Sequence, residues 1–343
     1  MAVRTPRFGV LARGRQAGFR TILSQGAQSP TDEKGLRNPH LLALGYEIEN
    51  LYPTLREPKE ALAFFQERDI KWWRSSRSGD RSAKDGYDGP TRNLASSQIA
   101  CVNFLLPLSG TPRGLVEFLR CIDDDVEDVI AIVDKGGRSS QVEFEWVGWC
   151  EPLEGGPINR GAYQTSIDAL LVAQIPDGHR AYLCEWKYCE EYPSPDDKGR
   201  GRSGDTRRAR YQHLYRQPGS SFNQTVPLDD FFFEPFYQIM RLHLLADRML
   251  TNGVAPDLPI DEVRVVVVCP AANVDYRTVV KTTPLAHRFP QFDTVEDVVR
   301  ATLSDGRLFS AVATEEIIAK LRRSVIAPDI ERWLEYHSAR YGW

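Results

Sequence analysis

Three pieces of the chain decide how it is read: Ser166-Ile167-Asp168-Ala169-Leu170-Leu171-Val172, the turn Pro176-Asp177-Gly178-His179, and the run from Ala181 to Cys189 with Leu183-Cys184-Glu185-Trp186-Lys187 inside it. Two apolar runs carry three charged side chains, Asp168, Glu185 and Lys187. Burying a charge is expensive unless it is paired or holds a metal. Glycine accepts positive φ and aspartate bonds to its own backbone, so Asp177-Gly178 reads as a two-residue hairpin loop. In that register Pro176 faces His179, and Asp168 lies opposite Lys187 and diagonal to Glu185. Glu185 and Lys187 are two apart and share a face of the strand, so all three groups converge. A slip of one residue would send Asp168 to the other face.

These residue types suit one chemistry. Two carboxylates can hold Mg²⁺, a hard ion that prefers oxygen and keeps several waters. Such an ion polarises a phosphate and acidifies a bound water, and a lysine beside it can position that water or stabilise charge on phosphorus. The competing reading is a Glu–Lys pair satisfied across a sheet edge. The apolar flanks and the turn favour a site.

Asp168 followed by Glu185-Trp186-Lys187 resembles the PD-(D/E)XK nuclease superfamily, with Ile167-Asp168 where the family has Pro-Asp. The resemblance covers residues 90 to 270, and Gly89 to Gln98 is similar to a group of uncharacterised prokaryotic nucleases of that superfamily. It implies an α/β, restriction-endonuclease-like fold, a mixed central sheet flanked by helices, here with an N-terminal extension and C-terminal helices. It also implies Mg²⁺-dependent cleavage of nucleic acid, with Mn²⁺ as a substitute. By position, Asp168 and Glu185 are the implied metal ligands and Lys187 the catalytic lysine. A restriction or anti-phage role, DNA as substrate and endonucleolytic cutting follow from the resemblance alone. Cutting both strands would suit a homodimer.

Many members carry another acid on the helix before the core hairpin. Here Ser96 to Leu106 reads as that helix, but Ser96, Ser97 and Gln98 stand at its start. The acid is absent, replaced by Gln98, or supplied by Glu143 or Glu145 of the alternating strand Val142 to Val147. Glu145 lies closer to the apolar Trp146-Val147-Gly148-Trp149 end and is favoured, although a solvated strand face accounts for both glutamates. Asn93, Ser96 and Ser97 include an N-cap. A second helix, Phe231 to Leu250, places Gln238 and Arg241 on one face. In the resembled family such a helix points a Gln, sometimes with an Arg, at the site. The run Asp261 to Pro270 is continuously β-branched and reads as a parallel strand buried on both faces.

Between them lies a basic, glycine-rich excursion with Lys198, Arg200, Arg202, Arg207, Arg208, Arg210 and Arg216 against Asp205, then Tyr211 and Tyr215. It reads as a loop that clamps or covers a nucleic-acid strand, through Arg200, Arg202, Arg207, Arg208 and Arg210 above all, or as a disordered solvated loop, and both hold if it orders on binding. Trp72 and Trp73, flanked by Lys71, Arg74 and Arg77, could touch nucleic acid, but packing of at least one in the core is favoured.

The 343 residues carry a net charge of −4, with 42% hydrophobic and 26% charged residues, as in an ordinary globular protein. The cations are local: the excursion and an N-terminal arm with Arg4, Arg7, Arg13, Arg15 and Arg20, offset by the acidic run Asp123 to Asp128. Six cysteines form no C-x-x-C pair, which argues against zinc and for a reducing cytoplasm. Met1 to Arg20 lacks the apolar core of a secretory signal. No run approaches the ~20 apolar residues of a membrane span. The expected organisation is an extension over residues 1–90, opening a helix at Glu57-Pro58-Lys59-Glu60, a nuclease core over 91–285, and a helical segment over 286–343 packed on the core. Two other functions fit less well: a catalytically inert nucleic-acid-binding module of the same fold, and a scaffold or oligomerisation protein.

Overall fold

A computed structural model describes residues 7–56, 60–74, 86–149, 152–156, 164–255 and 257–343. The expectations for Arg4, Glu57-Pro58-Lys59, Arg77 and Cys150 lie outside the described residues, as does most of the segment from Ser75 to Pro90.

The strands are β1 (Asp128–Ile130), β2 (Ile132–Val133), β3 (Ser139–Ser140), β4 (Glu143–Trp146), β5 (Ile167–Ile175), β6 (Gly178–Trp186), β7 (Glu262–Val268) and β8 (Phe309–Val312). Six of them form one sheet in the order β1-β5-β6-β7-β8, with β4 also paired to β5, while β2 and β3 make a separate hairpin. β5 is antiparallel to β1, β4 and β6, whereas β6, β7 and β8 run parallel. The sheet is therefore mixed, and the fold is α/β with helices on both faces. The β-branched run is the central parallel strand that its composition predicts. Val266 and Val268 enter one apolar cluster, and Val263, Val265 and Val267 enter the other.

The first cluster is closed by helix Ser97–Ser109, capped by the Ser96 hydroxyl, with helices Gly114–Arg120, Thr314–Leu321 and Glu331–Tyr341 around it. Helix 97–109 is apolar on nearly every side, as suits a helix packed between the sheet and an outer layer. The second cluster is closed by helices Gly201–Arg216, Phe236–Asn252 and Val295–Thr302. No helix among the described residues is long and apolar enough to cross a membrane.

Three expectations change. The hairpin loop is Pro176-Asp177, because Ile175 pairs with Gly178 and Gln174 with His179. Asp168 accordingly lies opposite Glu185, not Lys187. The pairing moved by two positions, a whole pleat period, so every side chain kept its face. Gly178 takes φ 137°, and a Cβ there would meet Asp261 Oδ2 at 2.1 Å. That carboxylate accepts from the His179 amide at 2.8 Å. The close approach of β7's leading turn selects glycine at the first strand position rather than inside the loop.

The basic excursion is not a loop from Gly201 onward but a sixteen-residue helix, Gly201–Arg216. Gly204, Tyr211, Leu214 and Tyr215 form its buried side. The cations read as a loop signature are the solvated side of an amphipathic helix. The N-terminal arm is likewise structured from Phe8: helix Phe8–Arg20 docks by Gln16, whose Nε2 donates to Tyr188 Oη and to the Arg340 carbonyl, each at 2.8 Å.

Gly178→Ala is expected to lower unfolding stability by about 1–3 kcal/mol, through positive-φ strain and displacement of Asp261. Urea unfolding followed by circular dichroism measures it. An unchanged midpoint would show that the approach of Asp261 does not constrain this turn.

Candidate active site

The register of three adjacent strands builds the site. Ala169 pairs with Cys184, so the next pair outward sets Asp168 beside Glu185. Phe144 pairs with Ala169 and Trp146 with Ile167, which sets Glu145 beside Asp168. Glu145, Asp168 and Glu185 thus form a row across β4, β5 and β6. Neighbours in such a row have Cβ atoms about 5 Å apart.

Each member of the row is held. Asp168 Oδ2 accepts from the Trp186 amide at 2.7 Å, where the ladder between β5 and β6 ends. Glu185 Oε1 accepts from Lys187 Nζ at 2.7 Å and from Gln238 Nε2 at 2.6 Å. Glu145 Oε1 accepts from Gln98 Nε2 at 2.9 Å, and its Oε2 from Ser166 Oγ at 3.1 Å. Gln98 is oriented by the Trp73 amide, which donates to its Oε1 at 2.8 Å. The Trp73 side chain also hydrogen-bonds Glu145. Glu145 adopts φ 49°, the left-handed region that costs a non-glycine residue energy. The strand's alternation breaks there: Phe144 joins one apolar cluster and Trp146 the other.

The alternating pattern of β4 suggested a solvated polar face. Instead Glu143 and Glu145 are 2% and 3% exposed. Glu143 is met by Arg68 Nε at 3.3 Å.

Burial and crowding set the protonation of the row. Loss of solvent, then the neighbouring Glu185 and Glu145 charges, push the Asp168 carboxyl well above its ordinary range. Burial pushes Glu145 up to about 7, against the pull of its hydrogen bonds from Trp73, Gln98 and Ser166. Burial alone would favour neutral Lys187, but Glu185 beside it outweighs that and holds the ammonium charged. Two ionised carboxylates about 5 Å apart repel by roughly 3 kcal/mol at an effective dielectric near 20. One lysine offsets a single such contact. Were all three ionised, the row would carry more negative charge than its lysine neutralises, and the ligating atoms it offers are all carboxylate oxygens.

That donor set fits a hard divalent cation. The described hydrogen bonds use Oδ2 of Asp168 and Oε1 of Glu185, so each carboxylate has its second oxygen for a ligand. Among the described residues no group of three or more His, Cys, Asp and Glu side chains is gathered as a metal cage. The fit is thus to a carboxylate pair that would leave the rest of the ion's coordination to water, as suits a hard ion such as Mg²⁺.

The remaining candidates divide. Gln98 and Gln238 reach the row from opposite faces of the sheet, one carboxylate each. Arg241 does not contact the row. Its Nε donates to Thr165 Oγ1 at 2.9 Å and lies 4.0 Å from Glu154 Oε1. Glu154 also takes the Thr165 amide and Tyr211 Oη, each at 2.9 Å. Arg241 therefore braces the start of β5, where Ser166 holds Glu145.

The five arginines of the basic segment also lie apart from the carboxylates in all described contacts. Arg200 pairs with Asp197 at 2.6 Å, and Arg208 with Asp229 at 2.9 Å and Asp205 at 3.1 Å. Arg207 donates to the Lys198 carbonyl at 2.7 Å and lies 5.6 Å from the Tyr237 ring centroid, one residue before Gln238. Arg202 is exposed and Arg210 partly so. Trp72 stacks on Phe65 in the core at 3.8 Å, while Trp73 is half exposed beside Glu145. Sequence reasoning missed Ser166, Glu154 and Glu234, whose Oε2 takes the Gln238 amide at 3.3 Å. Only Ser166 carried a signal, being two residues from Asp168 on the same face.

Residues 64–342 match the family described as Restriction Endonuclease associating with ARP, abbreviated REase-ARP. Comparisons with curated proteins and with solved structures gave no match. The matched span holds the whole mixed sheet, both helical layers and every residue of the carboxylate row, so the chain belongs to the REase-ARP family, a restriction-endonuclease-like family.

Proposed function

We propose that the chain is a PD-(D/E)XK-type nuclease that hydrolyses phosphodiester bonds with Mg²⁺, or Mn²⁺ in its place. The observation that carries this reading is the buried row Glu145–Asp168–Glu185 with Lys187 charged against it. Asp168 and Glu185 would hold the ion, and Glu145 adds negative charge at the row's edge. The bound ion supplies Lewis acidity toward the phosphate and toward a bound water. Lys187 donates from Nζ to the attacking water or to a phosphate oxygen. Gln238 fixes the rotamer of Glu185 through its Oε1, leaving the second oxygen to the ion it would hold. Gln98 does the same for Glu145 from the other face. In the reaction water oxygen forms a bond to phosphorus, the bond from phosphorus to the departing sugar oxygen breaks, and one proton of the water ends on solvent or on that oxygen.

The substrate we favour is DNA, cut internally, in prokaryotic restriction or anti-phage defence in the cytoplasm. The family's name supports the restriction part of this reading. The solvated side of helix 201–216, with Arg202 and Arg210, follows the strand that carries Lys187 and suits a phosphate backbone. A homodimer would place two such sites on the two strands of a duplex.

Cleavage of plasmid, single-stranded DNA and RNA with Mg²⁺ tests the assignment. Lys187→Ala and Asp168→Asn should each slow cutting by about 10³-fold, and Gln238→Ala by about 10-fold. Equal cutting by wild type and Lys187→Ala would sink it; retention of DNA without cutting would point to an inert binding module.

Stability against pH gives a second test. The folded-state pKa values of Asp168 and Glu145 lie above their ordinary values, so the folded chain binds more protons than the unfolded one. Their contribution is present at acid pH and is lost as pH rises from the usual carboxylate range through about 7 for Glu145, and further for Asp168. Saturating Mg²⁺ should raise Tm by roughly 5 °C at pH 8 and much less at pH 5. Asp168→Asn in metal-free buffer at pH 8 should stabilise by about 1–3 kcal/mol. Scanning calorimetry would count against the carboxylate row if Mg²⁺ acted equally at both pH values.

A further inference from the structure

Beside the row, on the outer edge of β4, lies a cavity of about 170 Å³ lined by Arg68, Lys135, Arg138, Glu143, Trp146 and Trp149, among others. Its walls come from β4, the segment Val147-Gly148-Trp149 that continues it, and the hairpin tip that joins β2 to β3. We propose that this cavity receives one unstacked nucleobase of the strand whose backbone lies at Asp168 and Glu185. The inference rests on the nuclease reading and adds to it how the substrate is held.

Four features point to a base rather than another ligand. The first is size: the space is well below the several hundred Å³ of a pocket for a drug-sized molecule, and suits one flat ring system. The second is the wall. Lys135 Nζ sits 5.3 Å from the Trp149 ring centroid, so this indole already accepts a cation on its face. A stacked base takes the same kind of place, because every base has a π-face. The third is the floor. Glu143 is 2% exposed and meets Arg68 Nε at 3.3 Å, while Arg68 Nη2 donates to the Ser139 carbonyl at 3.2 Å, so a carboxylate and a guanidinium stand side by side. A carboxylate accepts from the amino group of a base, and a guanidinium donates to ring and carbonyl acceptors. The rim is the fourth: Lys135 and Arg138 stand on the tip, Arg138 paired with Asp134 at 2.7 Å, where the phosphate of an inserted nucleotide would pass.

Position supports the same occupant. Glu143 and Glu145 are two residues apart on β4, about 7 Å along the strand. That is no more than about two nucleotide steps of 3.4 Å. A base next to the scissile phosphate can therefore enter the cavity only if it leaves its stack. Trp73, half exposed beside Glu145, lies on the same edge and offers a further ring to a strand running along it.

The experiment uses the full chain and single-stranded oligonucleotides in which one abasic nucleotide is moved along the sequence. Binding is measured with Ca²⁺ in place of Mg²⁺, and cutting is measured separately with Mg²⁺. One abasic position next to the cut should weaken wild-type binding roughly 10-fold, and that loss should vanish in Trp149→Ala, which has no stack left to lose. Trp149→Phe should keep the loss, which separates lost stacking from misfolding. Should Trp149→Ala not fold, Glu143→Gln carries the test: it must alter which base is preferred at that position, and an unaltered preference overturns the proposal. If wild type cuts but no abasic position matters, or the loss persists in Trp149→Ala, the base pocket is wrong and the nuclease reading stands. If wild type neither cuts nor binds, the nuclease reading falls and this inference with it.

Discussion

The pairing of Asp168 with Glu185 across β5 and β6 is the constraint on which the rest of the structure depends. Like charges directly opposite each other destabilise a sheet. Here a third carboxylate, Glu145, extends the conflict to β4. Around this row the fold arranges the groups that can bear it: a backbone amide on Asp168, a lysine and a glutamine on Glu185, a glutamine and a serine on Glu145. These partners come from both faces of the sheet. Helix 236–252 is thus tied to one end of the row through Glu185 and helix 97–109 to the other through Glu145.

That Asp168, Glu185 and Lys187 share one face was legible in the sequence because charge inside apolar runs is costly, and the side-chain period of two forgives a register error of two. Reading the loop as Asp177-Gly178 rather than Pro176-Asp177 misplaced Asp168 along β6 yet left it on the right face. What selects the true loop is Asp261, more than eighty residues further on, which crowds Gly178. No local pattern reports that contact. The basic helix was misread for a related reason. Its buried positions, Gly204, Tyr211, Leu214 and Tyr215, are too few and too widely spaced to stand out among arginines. Gly204 looks like a loop residue, but it is required because a Cβ there would meet the Gly199 carbonyl at 1.9 Å. The burial of Glu143 and Glu145 was illegible because Arg68 and Gln98, which meet them, are distant in sequence.

The N-terminal segment that reads as an extension and the C-terminal helices also pack behind the row. Arg340 is fully buried and donates to the Asn50 carbonyl at 2.5 Å and the Leu94 carbonyl at 3.2 Å. Asn103 accepts the Tyr52 amide at 2.7 Å and so joins the segment before residue 60 to the middle of the Gln98 helix. Tyr188 follows Lys187 and packs edge-on against Tyr341, with Gln16 on its hydroxyl. One apolar cluster therefore runs from Ala12 to Trp343 through Trp186. The strand that presents Glu185 and Lys187 is clamped from behind by both ends of the chain, which limits how far the row can relax.

That limit bears on function. A flexible carboxylate row would lower its repulsion by turning outward to water, or by swapping rotamers to spread its charges. Here each side chain is tied to a rigid element, and Glu145 is held in a left-handed backbone conformation that offers no local gain. Well-packed apolar residues of similar volume would be more stable at these positions, since buried charges rarely repay their desolvation. On the proposed reading, a divalent cation held by Asp168 and Glu185 would offset that cost. The same repulsion that weakens the fold would then favour binding, and the rigid frame would keep the two carboxylates in place without it.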